Sequence, residues 1–344
     1  MNIKFERVTA AAPLAALLLL LTACNSSSSN QIIAGPTPPP VTGSMFLTDS
    51  SIDTGVLIDQ VLVFPQNANG GPAPTQDITG NVTGLSVPQG IAVDRAGNMW
   101  VTNFNTSSIT EYNAGATGNV APINTVQGSS TFLAGPIGIA FDSAGDVFVV
   151  NSQTDSSGLF EVLEFGPNPT GNQGPIRRIG GSATLLNNPQ YAAVDGAGNV
   201  YVTNIANNLI TIFGPGASGN VAPLVSFSGN CAQPDGIALD GAKNIYVACD
   251  QNYEVREYSA LSGSGTPTQI RSLGVGTTQP QLYNPSGLAV NSLGTLFVAN
   301  SGLQGQALGY ITAYTPSFSN TTGPGALLGG GSSNIIRPGG IALH

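Results

Sequence analysis

The chain has 344 residues, with 9 Lys and Arg against 18 Asp and Glu, and only 8% of its residues are charged, where soluble domains average about 25%. A net charge of −9 with so few cations argues against nucleic acid or an anionic lipid surface as a partner. A single His and three Cys leave little material for a nucleophile–base pair.

Residues 1–24, MNIKFERVTAAAPLAALLLLLTAC, place Lys4 and Arg7 ahead of an apolar run over 8–21. That run is shorter than the roughly 20 residues of a spanning helix and reads as a signal peptide. Its end, Leu21-Thr22-Ala23-Cys24, resembles the bacterial lipobox. The resemblance implies that Cys24 is lipidated and anchors the protein to a membrane. Removal of residues 1–23 takes away Lys4, Arg7 and Glu6, two bases and one acid, which leaves the remainder more acidic than −9. Residues 25–43, NSSSSNQIIAGPTPPPVTG, have a flexible Ser run followed by a stiff Pro run, and form a linker with no core of its own. The expected location is the cell envelope, outside the cytoplasm. Asn25 after the cysteine, by resemblance to enterobacterial sorting, favours the outer membrane.

From residue 88 one phrase recurs. It reads PQGIAVDRAGNMWVTN at 88–103, PIGIAFDSAGDVFVVN at 136–151, PQYAAVDGAGNVYVTN at 189–204, PDGIALDGAKNIYVAC at 234–249 and PSGLAVNSLGTLFVAN at 285–300, with a truncated copy, PGGIALH, at 338–344. A period near 50 residues marks a repeat architecture. The GIAV core is small and apolar, as a strand buried on both faces requires. The Asp that follows (Asp94, Asp142, Asp195, Asp240) caps a tight turn, and a second strand alternates bulky and β-branched residues.

Past each hairpin comes a third strand ending in an aromatic (Tyr112, Phe165, Phe213, Tyr258, Tyr314). A Gly/Asn/Pro turn follows, nearly repeated between Gly118-Asn119-Val120-Ala121-Pro122 and Gly219-Asn220-Val221-Ala222-Pro223, and then a weaker fourth strand. Four short strands per unit without helical periodicity predict a β-propeller. Residues 44–86 carry the second, third and fourth strands of a unit but not the first, and 338–344 supply a first strand alone. The expected fold is therefore all-β, a six-bladed propeller over 44–344, closed by N- and C-terminal strands in one composite blade.

The pattern P-x-G-[IL]-A-[VL]-D followed by G-N-[IVM]-[YW]-V resembles the NHL repeat. The resemblance covers residues 44–344 and implies a propeller that serves either as an enzyme or as a binding scaffold. Two positions depart from it: Tyr191 stands where the repeat has Gly, and Asn291 where it has the turn Asp.

In each hairpin the start of the first strand and the end of the second share one edge. One face of the ring therefore gathers Gln89, Ile137, Gln190, Asp235, Ser286 and Gly339 at the channel mouth, with Asn103, Asn151, Asn204, Asn300, Asp49 and the Cys249-Asp250 pair beside them. These amides and carboxylates suit carbohydrate hydroxyls, a peptide backbone or a calcium ion. The alternative is that the recurring Asn satisfies backbone amides near its turn, once per blade.

Asp235, in PDGIA with VAC following, lies in a segment that resembles the matching blade of regucalcin-type gluconolactonases, where this Asp is a calcium ligand. Gln190 stands where that family has a metal-binding Asn, and 44–49 offer no Glu. The repeats also resemble streptogramin-inactivating lyases, whose base is a histidine; here the only histidine is His344. The expectation is a monomeric, lipid-anchored binding or scaffold propeller without catalysis, taking a protein, peptide or carbohydrate ligand. The alternative is a divalent-metal hydrolase or lactonase working around Asp235.

With Cys24 lipidated, Cys231 and Cys249 are the two thiols left. They share one repeat, and hairpin pairing sets Cys249 near the loop that holds Cys231. In an oxidising compartment this spacing predicts a disulfide.

Overall fold

In the computed structural model the residues described are 43–53, 56–274, 282–302, 308–319 and 322–344, with no side-chain detail for 51–57. The expected signal peptide, Cys24 and nearly all of the linker lie outside them. Among the described residues no helix is long and apolar enough to cross a membrane.

Six four-stranded antiparallel sheets form the blades of a propeller. Blade 1 is composite: its inner strand is Pro338–Leu343, and Ser44–Asp53, Val56–Pro65 and Gln76–Thr79 follow outward. Blades 2 to 6 begin with inner strands Pro88–Val93, Pro136–Phe141, Pro189–Val194, Pro234–Leu239 and Pro285–Val290. Each inner strand touches the next, and that of blade 6 touches that of blade 1, so the ring is closed. Closure is completed by backbone exchange, Ser44 N–H to His344 O at 2.8 Å and His344 N–H to Ser44 O at 3.0 Å.

The turn acids act as expected. Asp94 Oδ1 accepts from the amides of Ala96 (2.8 Å) and Asn98 (2.9 Å), and Asp142, Asp195, Asp240 and Asn291 repeat the pattern. The second oxygen is used as well: Asp94 Oδ2 accepts from the buried Trp100 indole, and Asp195 and Asp240 accept from Tyr201 and Tyr246. In blades 2, 4 and 5 the aromatic of the second strand is thus fixed to its own turn.

The inner-strand glycine has a packing reason. A Cβ on Gly90 would stand 2.1 Å from the Ile137 carbonyl, and one on Gly236 1.9 Å from that of Ser286. Neighbouring inner strands approach so closely that only glycine fits. Hydroxyls stitch the same seams. Thr102 Oγ1 accepts from Gly90 N–H at 2.8 Å and donates to Ile137 O at 2.6 Å. Thr48 and Thr203 do the same for blades 1 and 4, and in blade 6, where Ala299 has no hydroxyl, Ser286 Oγ donates to Pro338 and Gly339 carbonyls, each at 3.2 Å.

The recurring Gly-Asn turn latches one blade onto the outer strand of the one before. Gly118 N–H donates to Asp77 O at 2.6 Å, and Asn119 Oδ1 accepts from Val82 N–H. Gly219 and Asn220 repeat this on Arg178 and Ala183. Between the blades lie six apolar clusters, such as that joining Tyr201 and Ile212 of blade 4 to Ile237 and Val247 of blade 5.

Candidate functional site at the channel mouth

The recurring asparagines turn inward. Asn103, Asn151, Asn204 and Asn300 are fully buried. Their Oδ1 atoms accept from the amides of Ser86, Ala134, Asn187 and Tyr283, 17 residues earlier, at 3.0 to 3.1 Å. Three of the amide groups donate onward to third-strand threonines, Asn103 to Thr110, Asn204 to Thr211 and Asn300 to Thr312. In blade 3 the third strand offers Leu163, and Asn151 turns to the Phe132 carbonyl at 2.7 Å. Each side chain therefore ties the loop entering its blade to the strands it sits among, as the structural alternative expects, and none of the four lines the cavity at the channel mouth.

Asp49 is the blade 1 variant. Its third strand offers Leu62 where a threonine would receive an amide, and a carboxylate has no N–H to place. Its two oxygens instead accept from Ile336 (2.6 Å) and Arg337 (2.9 Å). Burial outweighs these hydrogen bonds and pushes its carboxyl up to about 6. In blade 5 the position is Cys249, bonded to Cys231 with Cα atoms 5.1 Å apart.

The other four expected residues do meet. Gln89, Gln190, Asp235 and Ser286 line a cavity of about 490 Å³ at one end of the channel, with Ile137 and Gly339 beside them. Gln190 is 8% exposed. Its Nε2 donates to Asn188 and to Ser152 Oγ, which leaves Oε1 as its open group. Asp235 is half-buried in the wall of the mouth. Burial, reinforced by the negative charge of Asp250, pushes its carboxyl up to about 7. Burial also raises Asp250.

Tyr191, Asp250 and Arg337 also line the cavity; of these only Asp250 was expected at this face. Tyr191 takes the position at which the other inner strands need glycine. It packs against the blade 4–5 cluster and reaches the mouth next to Asp235. Burial and the Asp235 charge hold its hydroxyl protonated far above the usual tyrosine range. Its break with the repeat was the available signal. Arg337 had none beyond its place before the last Pro-Gly-Gly.

As a calcium site the mouth is incomplete. The described residues contain no group of three or more His, Cys, Asp and Glu placed to hold a metal. Asp235 and Asp250 supply two carboxylates where calcium takes 6–8 oxygens. His344 is exposed and lies near Gly97, beside the turns of the opposite face.

No protein-family model matches the chain, and no curated protein matches it significantly. Solved structures share the fold. A protein of unknown function from Bacteroides caccae superimposes with a TM-score of 0.61 at 11% identity, over 88% of this chain and 99% of its own. A proposed 6-phosphogluconolactonase from Bacteroides uniformis gives 0.53 at 16% identity, over 81% of this chain and 80% of its own. Another from Bacteroides fragilis gives 0.52 at 12% identity, over 89% of this chain and 100% of its own. At these identities the likeness is one of fold alone.

Proposed function

We propose that this chain is a ligand-binding propeller of the NHL type, lipid-anchored in the cell envelope, and that it binds through the channel mouth without catalysing a reaction. The observation that carries the reading is the mouth itself: about 490 Å³ on one face, lined by Gln89, Gln190, Asp235, Ser286 and Arg337. Ligand pockets commonly measure roughly 300–1,000 Å³ and place a few polar groups on an otherwise closed wall. Binding is favoured over catalysis by the lining, which among the described residues has neither imidazole nor thiol. The fold likeness to proposed 6-phosphogluconolactonases is compatible with either role. Support for the anchor is the sequence Leu21-Thr22-Ala23-Cys24 and the Ser/Pro linker after it.

Saturation-transfer NMR with a library of small polar fragments tests the binding role. Gln89→Trp fills the mouth at a side chain that makes no hydrogen bond of its own among the described residues, and should abolish the signals seen with the unaltered protein. Fragments that bind both proteins equally would place the site elsewhere. Mass spectrometry of the membrane-extracted protein tests the anchor, which requires acyl chains on Cys24 and their loss in Cys24→Ala.

A further inference from the structure

The mouth differs around its circumference. Blades 2 and 3 give it a mostly apolar arc, Val87, Pro88 and Ile137 with the Gln89 amide among them. The facing arc, from blade 5 through blade 6 to blade 1, is polar and holds both signs of charge. Asp235 and Asp250 stand on blade 5, Ser286 on blade 6, and Arg337 at the entry to blade 1.

These charges are unused by the protein. Arg177, Arg178, Arg256, Arg271 and Lys243 each pair with a carboxylate, and Arg95 donates to the Ser143 carbonyl. Among the described residues Arg337 is the one Lys or Arg whose side chain has no hydrogen-bond or ion-pair partner. Its guanidinium is exposed at the mouth, although its backbone is held by Asp49. On the other side, among the described residues, no group donates a hydrogen bond to the carboxylate of Asp235 or of Asp250. The two are close enough for one charge to act on the other. An unpaired carboxylate partly withdrawn from water is costly, and a ligand cation recovers that cost, while the exposed Arg337 guanidinium is free to take a ligand anion. A neutral ligand would desolvate both ends and compensate neither.

We propose that the mouth takes a zwitterion with an apolar side, of the class of short peptides with both termini free. The ammonium group lies against Asp235 and Asp250, the carboxylate on Arg337, and the side chains against Val87 and Ile137. The guanidinium fork suits a carboxylate in two-point contact, and Ser286 lies on the arc between the two charged ends. This assignment rests on the reading of the mouth as the binding site and specifies what that site selects.

Isothermal titration with the dipeptide leucyl-valine, its N-acetylated form and its C-terminal amide tests the proposal, with maltose as a neutral probe. Each cap should weaken binding about tenfold or more, the scale of one charge-assisted contact. Arg337→Gln should weaken the free dipeptide to a similar degree and leave the amide unchanged. Its fold should persist, because among the described residues the side chain makes no hydrogen bond or ion pair, and a thermal melt checks this. Equal binding of free and capped forms, an equal loss in Arg337→Gln for dipeptide and amide, or no binding of the dipeptide would overturn the proposal. If maltose then binds and Gln89→Trp abolishes its binding, the zwitterion falls alone. If maltose fails as well, the reading of the mouth falls with it.

Discussion

The Cys249–Cys231 bond stands where sister blades use an asparagine and a hydrogen bond. In blades 2, 3, 4 and 6 that asparagine accepts from an amide 17 residues earlier. Counted back from Cys249, the equivalent amide is that of Ala232. It donates instead to Asn252 Oδ1, at 2.6 Å. The covalent tie thus lies one residue away from the hydrogen bond it replaces, and a second side chain takes over the freed amide.

Replacing Cys231 and Cys249 with serine should therefore loosen the entry to blade 5. Closing an 18-residue separation contributes on the order of 3 kcal/mol in the chain-entropy view. Chemical denaturation of the double variant should show a loss of that size, and the unfolded, unreduced wild type should show no free thiol at these positions. Two titratable thiols would contradict the bond.

The asparagine ring makes a separate claim, because it assigns the ring to stability alone. Asn204→Ala removes an acceptor for Asn187 and a donor to Thr211 inside a closed site. Each orphaned group costs about 1–3 kcal/mol. Urea unfolding should record the loss, while fragment binding at the mouth stays as in the wild type. Weakened binding in a folded Asn204→Ala protein would return the ring to the ligand face.

Stability should fall as pH rises through neutrality. The Asp235 carboxyl sits at about 7 and that of Asp49 at about 6, against about 3.9 in an unfolded chain. Over that interval the folded state holds protons that the unfolded state has released. The stabilisation is complete below about pH 4 and is lost as the pH passes the folded values. Between pH 5 and 8 the melting temperature of Asp235→Asn should gain on that of the wild type. Parallel curves for the two proteins would show that Asp235 titrates normally.

Deleting residues 338–344 should leave blade 1 without its inner strand and expose the edge of Ser44–Asp53, whose Met45, Phe46 and Leu47 pair with Leu343, Ala342 and Ile341. Aggregation or a loss of several kcal/mol is expected from an open apolar edge. A monomer of unchanged stability would mean that the ring closes in another way.

Repetition made the frame legible and hid the site. The six blades, their composite closure and the turn acids all follow from residues written again in every unit, and each of these has a local cause. The recurring asparagines looked like a ligand ring from their position at one edge. Only the packing shows that they turn inward, because their partners lie in loops whose course the hairpin pattern does not specify. The Gly118-Asn119 turn was conspicuous for the same reason, yet its contacts are with the preceding blade, about 40 residues away. At the mouth the informative residues are the ones that break the pattern: Tyr191 for glycine, Asp235 where other blades have Gln, Ile, Ser or Gly, and Arg337, whose side chain has no partner among the described residues.

A crystal structure of the protein soaked with leucyl-valine tests the central claim most directly. Density is expected in the mouth between Asp235 and Arg337, and none there in crystals of Gln89→Trp. An empty mouth at saturating dipeptide, or density only on the outer strands or the opposite face, would contradict the assignment of the mouth as the binding site for this class of ligand.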